Sequence, residues 1–106
     1  MKIIPFKDMK DGWFIGDFDP SVYKTKDFEV AFKTHKKGSY HAPHHHKVAT
    51  EYNLLIEGSI DFSGKIVNEG EIFIFEPNES SIPIFLTDCK LVVIKTPSVL
   101  GDKYND

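Results

Sequence analysis

The chain has 106 residues, a formal net charge of −3 at pH 7, and nine Phe and four Tyr residues. This length accommodates one domain with a single hydrophobic core. The slightly acidic balance excludes a general electrostatic attraction to nucleic acid or anionic lipid. The abundance of aromatic residues, together with few Leu and Ala, predicts an all-β fold.

The expected location is the cytoplasm. The only cysteine, Cys89, lies at the start of an apolar strand and is interpreted as a buried, reduced thiol. The apolar residues at the N-terminus are interrupted by Pro5 too early to form a signal peptide, and no apolar run approaches the roughly 20 residues that cross a bilayer. We therefore expect neither nucleic acid nor membrane among the partners.

Short strands and tight turns are predicted at the start of the chain. Residues 1–23 alternate short apolar runs with turn-forming residues. Strict alternation over residues 27–35 predicts a half-buried antiparallel strand, with Phe28, Val30 and Phe32 on one face. A solvated face is the interpretation of the lysines in and around this strand, which are Lys24, Lys26, Lys33, Lys36 and Lys37.

Further short strands are predicted after the turn at Gly38. They cover residues 42–48, 50–57, 59–62, 72–75, 82–86 and 91–94. About nine short strands with frequent turn signals are typical of a β-sandwich or barrel. The polar tail, residues 97–106, is expected to lie along the surface or to fray.

A possible metal site lies between Gly38 and Gly58. Side chains two apart in a strand share a face, so His44 and His46 point together while His45 points away. A turn over residues 48–50 would place Glu51 on the neighbouring strand, opposite the histidine pair. Two imidazoles and one carboxylate can form part of the coordination shell of a divalent metal.

Other polar residues near this segment have weaker assignments. Asn53 shares strand phase with Glu51 and is a candidate for binding substrate, as is Tyr40. His35, His41 and His45 are interpreted as surface residues. Glu76 and Glu79 are assigned to a solvated loop, the alternative being a carboxylate in the pocket that acts as a base.

The histidine segment resembles the first sequence motif of the cupins, G-x5-H-x-H-x3,4-E-x6-G. Its fixed positions are all matched, by Gly38, His44, His46, Glu51 and Gly58. The resemblance covers roughly residues 27–96. It implies one cupin domain over residues 1–106, built as a double-stranded β-helix or jelly-roll barrel, with the metal site in the mouth of the barrel.

The second cupin motif, G-x5-P-x-G-x2-H-x3-N, is degraded. Gly70 matches, but Glu76, Asn78, Ser81 and Phe85 replace the Pro, Gly, His and Asn. In the family this histidine is a fourth protein ligand. The resemblance therefore implies an open three-ligand site, in which water or substrate takes the remaining position. Ser81 is accordingly a candidate for substrate binding rather than a ligand.

Three functions remain open from the sequence. The first is an enzyme of dioxygenase, isomerase or lyase type that uses Fe, Mn, Zn or Ni and acts on a small polar molecule. The second is a non-catalytic module that binds a sugar or a carboxylate. The third is a degenerate cupin retained for assembly. A homodimer is expected, because small jelly rolls have sheet edges and apolar faces to cover.

Overall fold

The computed structural model describes residues 1–80 and 82–106. The described residues form one short 3-10 helix, Phe6–Asp8, and ten strands. The strands are β1 Trp13–Ile15, β2 Glu29–His35, β3 His44–His45, β4 Thr50–Glu57, β5 Ser59–Phe62, β6 Lys65–Asn68, β7 Ile72–Phe75, β8 Pro83–Phe85, β9 Cys89–Thr96 and β10 Tyr104–Asn105. The predicted all-β class is confirmed.

The strands form three antiparallel sheets. The largest has the order β1-β2-β9-β4-β7, a second has the order β6-β5-β8, and β3 pairs with β10. Apart from β1 and β2, neighbours in the largest sheet are not consecutive in sequence, as in jelly rolls, where consecutive strands are distributed over two packed sheets. The arrangement is the expected double-stranded β-helix.

A small core lies between the two larger sheets. Alternate residues of β2, β4 and β9 meet side chains of β5 and β8. The buried cluster consists of Ala31, Leu55, Ile60, Phe85, Cys89, Leu91 and Val93. Cys89 is a buried free thiol, as predicted.

The orientation of β2 differs from the simplest reading of its sequence. Glu29 and Ala31 are buried, so the inner face of this strand is the one that also includes Lys33 and His35. The opposite face has its own cover, because the ring of Phe6 packs edge-on against Phe32 at 6.0 Å between centroids. Lys33 is therefore not part of a solvated face. Both faces of this strand are partly covered, which alternation alone does not reveal.

The C-terminal tail does not fray. Tyr104 and Asn105 pair with His45 and His44, and the carboxylate of Asp106 lies 2.6 Å from Nδ1 of His45. Asp102 is only 4% exposed. The tail thus packs against the histidine segment. No helix among the described residues is long and apolar enough to cross a membrane.

Candidate metal and ligand site

One large cavity, of about 840 Å³, opens beside the core. His44, His46, Glu51 and Asn53 all line it. Its wall also includes the aromatic rings of Phe62, Phe73 and Phe75. Apolar walls with a few convergent polar groups are typical of small-molecule sites.

The histidine pair is held at the edge of the barrel by β3. The rings of His44 and His46 lie 5.4 Å apart between centroids, and Nδ1 of His44 lies 3.3 Å from the carbonyl oxygen of Ala42. His46 is 7% exposed. Burial, assisted by the positive charge of Lys95 and by His44, lowers the pKa of His46 to about 4. Its imidazole is therefore neutral near pH 7, the form in which histidine binds metals.

His45 occupies a different environment from its two neighbours. Its ring stacks on Tyr104 at 5.6 Å and contacts Asp106, and it does not line the cavity. It secures the tail to β3. The period of two in an extended strand thus separates it from His44 and His46.

Glu51 and Asn53 lie on the inner face of β4. Asn53 is 3% exposed, and its Nδ2 donates a hydrogen bond to Oε2 of Glu51 at 3.1 Å. The buried amide fixes the orientation of the carboxylate. This contact agrees with the interpretation of Asn53 as an inward residue next to Glu51.

The donor types fit a divalent metal, but the donor atoms are not assembled around one point. Within residues 1–80 and 82–106, no group of three or more His, Cys, Asp or Glu side chains is placed to hold an ion. His44, His46 and Glu51 would have to move closer together to coordinate a metal. Their assignment as ligands therefore stays a prediction.

The turn between β3 and β4 is fixed by a residue that the sequence did not suggest. The buried carboxylate of Asp102 accepts hydrogen bonds from the backbone N–H of Lys47 at 3.0 Å, Val48 at 3.2 Å and Ala49 at 2.9 Å. These amides follow His46 directly and precede Glu51. Asp102 therefore sets the separation of two predicted ligands.

A charged row crosses the inner face of the largest sheet beside Glu51. Lys95 is the Cα partner of both Glu29 and Glu51. Its Nζ lies 3.3 Å from Oε1 of Glu29, and both side chains are nearly buried, at 13% and 10% exposed. Alternation in β9 indicates this placement, because Lys95 is in phase with the apolar residues Leu91 and Val93.

Two further histidines line the cavity, which corrects their interpretation as surface residues. The ring of His35 stacks on the ring of Phe85, with 4.4 Å between centroids. The ring of His41 packs edge-on against the ring of His35, with 4.6 Å between centroids. Burial, with smaller contributions from His41 and Lys33, lowers the pKa of His35 to about 4. His35 was wrongly predicted to lie at the surface because its face of β2 points into the cavity.

One predicted substrate-binding residue, Tyr40, is not found in the cavity wall. Tyr40 is 82% exposed and does not line the cavity, because it follows the turn at Gly38 in a segment without strand geometry. Ser81 lies outside the described residues. Glu76 and Glu79 belong to a loop in which Glu79 accepts a hydrogen bond from the amide of Glu76, as expected for the solvated alternative.

Known structures share this fold. No protein-family model and no curated protein matches the sequence. A conserved protein with a double-stranded β-helix domain from Klebsiella pneumoniae superposes with a TM-score of 0.67 at 21% identity, covering 76% of this chain and 71% of that one. KdgF from Halomonas gives 0.64 at 16% identity over 72% and 74% of the two chains.

Oxalate decarboxylase from Bacillus subtilis, a protein described with Mn(II) centres, gives a TM-score of 0.65 at 18% identity. The match covers 76% of this chain but only 24% of that one. A cupin-2 domain protein from Shewanella frigidimarina is also similar. The chain therefore has the double-stranded β-helix fold of the cupins. At these identities the likeness defines the fold and not the activity.

Proposed function

We propose that this protein is a divalent-metal-dependent cupin enzyme, of dioxygenase, isomerase or lyase type, that acts on a small polar molecule. The observation that supports it most is that His44, His46 and Glu51, the three residues selected by the first motif, line the same cavity. In this proposal the ion is Fe, Mn, Zn or Ni. When bound, it would polarise an oxygen of the substrate.

The chain's own groups have separate roles in this proposal. His46 offers a neutral nitrogen because it is buried, and Asn53 orients the carboxylate of Glu51. Asp102 fixes the turn between these ligands. The aromatic wall excludes water from one side of the bound molecule, and the Mn(II) centres of the oxalate decarboxylase with this fold make manganese a reasonable first ion to test.

A metal titration tests the proposal. Untagged, metal-stripped protein should bind about one Mn²⁺ per chain in calorimetry. His44→Ala and His46→Ala should abolish binding, whereas His45→Ala, which changes a histidine outside the cavity, should retain it. Equal loss in all three variants, or no binding of any of the four ions to the parent protein, would contradict the proposal.

The alternative function is a non-catalytic module that binds a small sugar or carboxylate. It is favoured by the cavity together with the lack of an assembled three-ligand group in the described part of the chain. This alternative predicts saturable stabilisation by a ligand without turnover. Conversion of that ligand by the metal-loaded protein would eliminate it.

We also propose that the protein is a cytoplasmic homodimer. The buried free thiol of Cys89 supports a reducing compartment. The dimer is supported by an outer apolar face on the largest sheet, whose side chains are 38% to 68% exposed: Tyr52, Leu54, Ile56, Ile72, Ile74 and Ile94. These residues are in register, since Tyr52 opposes both Ile74 and Ile94.

The outer apolar face suits a second copy of the same chain. Its six side chains are uncharged, so two copies can approach despite the net charge of −3. At its border, Lys90 and Glu57 form an ion pair with Nζ and Oε2 3.6 Å apart. Because the two charges offset each other, this pair adds no net charge to the border of the face. Exposed apolar patches of this kind mark interaction surfaces.

A further inference from the structure

We propose that the cavity binds a small organic carboxylate, whose anionic group contacts Lys33, Lys95 and Lys103 and whose apolar part packs on the phenylalanine wall. This inference rests on the proposed function in that it concerns the same cavity and names its substrate class. The lysines, however, attract an anion whether or not a metal is bound.

Two of the ammonium groups are fixed against one indole ring. Nζ of Lys33 lies 5.2 Å and Nζ of Lys95 lies 5.1 Å from the centre of the Trp13 ring. Both lysines and Trp13 line the cavity. Cation–π contact holds lysine side chains in one arrangement, so less side-chain entropy is lost when an anion binds.

Lys103 completes the cluster from the C-terminal tail. It lines the same cavity, and its charge acts on His41 and Lys33. Burial lowers the pKa of His41, and Lys103 is the next largest cause. Burial also lowers the pKa of Lys33, with Lys103 and Lys95 adding to the effect while Asp11 opposes it. All three lysines thus line the same cavity.

The carboxylates nearest these lysines have hydrogen-bond partners of their own, and Nζ of Lys33 donates to the carbonyl oxygen of Asp11. The carboxylate of Glu29 forms an ion pair with Lys95 and accepts a hydrogen bond from the hydroxyl of Ser98 at 3.4 Å. The carboxylate of Glu51 accepts a hydrogen bond from the side-chain amide of Asn53. The carboxylate of Asp102 accepts hydrogen bonds from three backbone amides. Among residues 1–80 and 82–106, the ion pairs include neither Lys33 nor Lys103. A divalent ion would add positive charge to this part of the cavity.

The phenylalanine wall, formed by residues of β5 and β7, suits an apolar skeleton. The rings of Phe62 and Phe73 lie 5.0 Å apart between centroids, and Phe75 lies 5.4 Å from Phe62 and 5.9 Å from Phe73. These three rings contain no hydrogen-bonding group, so they favour carbon over inorganic anions such as phosphate. The combination of a cationic and an aromatic wall is therefore specific for an organic anion.

Calorimetry with benzoate, benzyl alcohol and inorganic phosphate tests this assignment. With metal-stripped, untagged protein at constant ionic strength, benzoate should bind more tightly than benzyl alcohol, which has the same ring without the charge. Phosphate, which has charge without a ring, should also bind more weakly than benzoate. Lys33→Met and Lys95→Met should each weaken benzoate binding about tenfold or more. Lys65→Met, on β6 and outside the cavity, should leave it unchanged.

A second measurement separates anion binding from a general loss of structure. Lys95 is the Cα partner of Glu51, so its positive charge repels a cation bound to the Glu51 carboxylate. Removing its charge by Lys95→Met should therefore strengthen Mn²⁺ binding severalfold while weakening benzoate binding. A misfolded variant would lose both. If Lys95→Met did not fold, Lys33→Met alone would decide whether benzoate binding depends on the cluster.

The outcomes distinguish this inference from the metal proposal. Lysine-dependent benzoate binding in a protein that binds no metal would support the carboxylate site and contradict the metal enzyme. Metal binding with benzoate affinity unchanged in both folded lysine variants would contradict the carboxylate site alone. Equal binding of benzoate and benzyl alcohol, or of benzoate and phosphate, would also overturn it.

Discussion

The carboxylate of Asp102 accepts a hydrogen bond from the backbone N–H of Ala49 at 2.9 Å, and this contact joins the C-terminal tail to the turn between the predicted metal ligands. Burial acts to raise the pKa of Asp102, but the bonds from Ala49, Lys47 and Val48 outweigh it and hold the pKa below its usual 3.8. The ionised carboxylate therefore stabilises the fold above pH 3.8. That contribution is lost as the pH falls through the lowered value.

Replacing Asp102 with Ala should lower the free energy of unfolding by roughly 2–3 kcal/mol, because several backbone amides lose their acceptor. Metal affinity should fall as well, since the turn would no longer fix His46 relative to Glu51. Urea unfolding and a metal titration measure the two effects. Asp88→Ala is the control, because the exposed carboxylate of Asp88 accepts a hydrogen bond from one backbone amide of the described residues, that of Lys37. Equal effects in both variants would contradict the role given to Asp102.

The two glycines of the first motif should respond differently to substitution by Ala. Both have positive φ, +74° at Gly38 and +103° at Gly58. A Cβ at Gly38 meets nothing within 4 Å, so Gly38→Ala should cost only the backbone strain of about 1–2 kcal/mol. A Cβ at Gly58 would lie 2.5 Å from the carbonyl oxygen of Asp88, which is backbone and cannot rotate away.

Gly58→Ala should therefore destabilise the protein by more than about 3 kcal/mol. Urea unfolding of both variants at the same pH measures the difference. Similar midpoints for the two would show that the contact between Gly58 and Asp88 is less tight than described.

Stability should decline as the pH falls from 6.5 to 5. The pKa of His35 is lowered by burial to about 4, below the usual 6.5, so in this range the unfolded chain takes up a proton that the folded chain does not. By linkage, the folded state loses stability as the pH falls through this range. Above pH 6.5, where His35 is neutral in both states, this loss is absent. His35→Leu should reduce the slope of unfolding free energy against pH. An unchanged slope in the variant would contradict the burial of a neutral His35.

The proposed dimer forms through the outer apolar face, and a substitution in that face tests it. Light scattering during size-exclusion chromatography should give a dimer for the parent protein and a monomer for Ile74→Glu, because a charge would be buried in the interface. Ile66→Glu is the matched control. Ile66 is also exposed but lies in the other sheet, on β6, and its substitution should leave the dimer intact. A monomeric parent protein would contradict the proposed interface.

Much of the site follows from strand periodicity. A period of two correctly predicts that His44 and His46 line the cavity, that His45 does not, and that Asn53 lies next to Glu51. The same rule, applied to β9, would have predicted Lys95 as an inward residue.

Other features depend on contacts between distant segments and were therefore not predictable. In β2, the apolar Phe32 is covered by Phe6, so the polar phase containing Lys33 and His35 turns inward. Nothing near Asp102 in sequence indicates that it bonds to amides 53 to 55 positions earlier. The exposed position of Tyr40 could not be predicted, because its segment is not a strand and the alternation of strand faces does not apply to it.

The metal content of the purified protein tests the central claim most directly. Untagged protein, isolated without a nickel column, should contain about one divalent ion per chain by elemental analysis. His46→Ala should reduce that content severalfold, whereas His45→Ala should retain the parental value. Protein that contains no divalent ion as isolated, and takes up no Fe, Mn, Zn or Ni on reconstitution, would contradict the account.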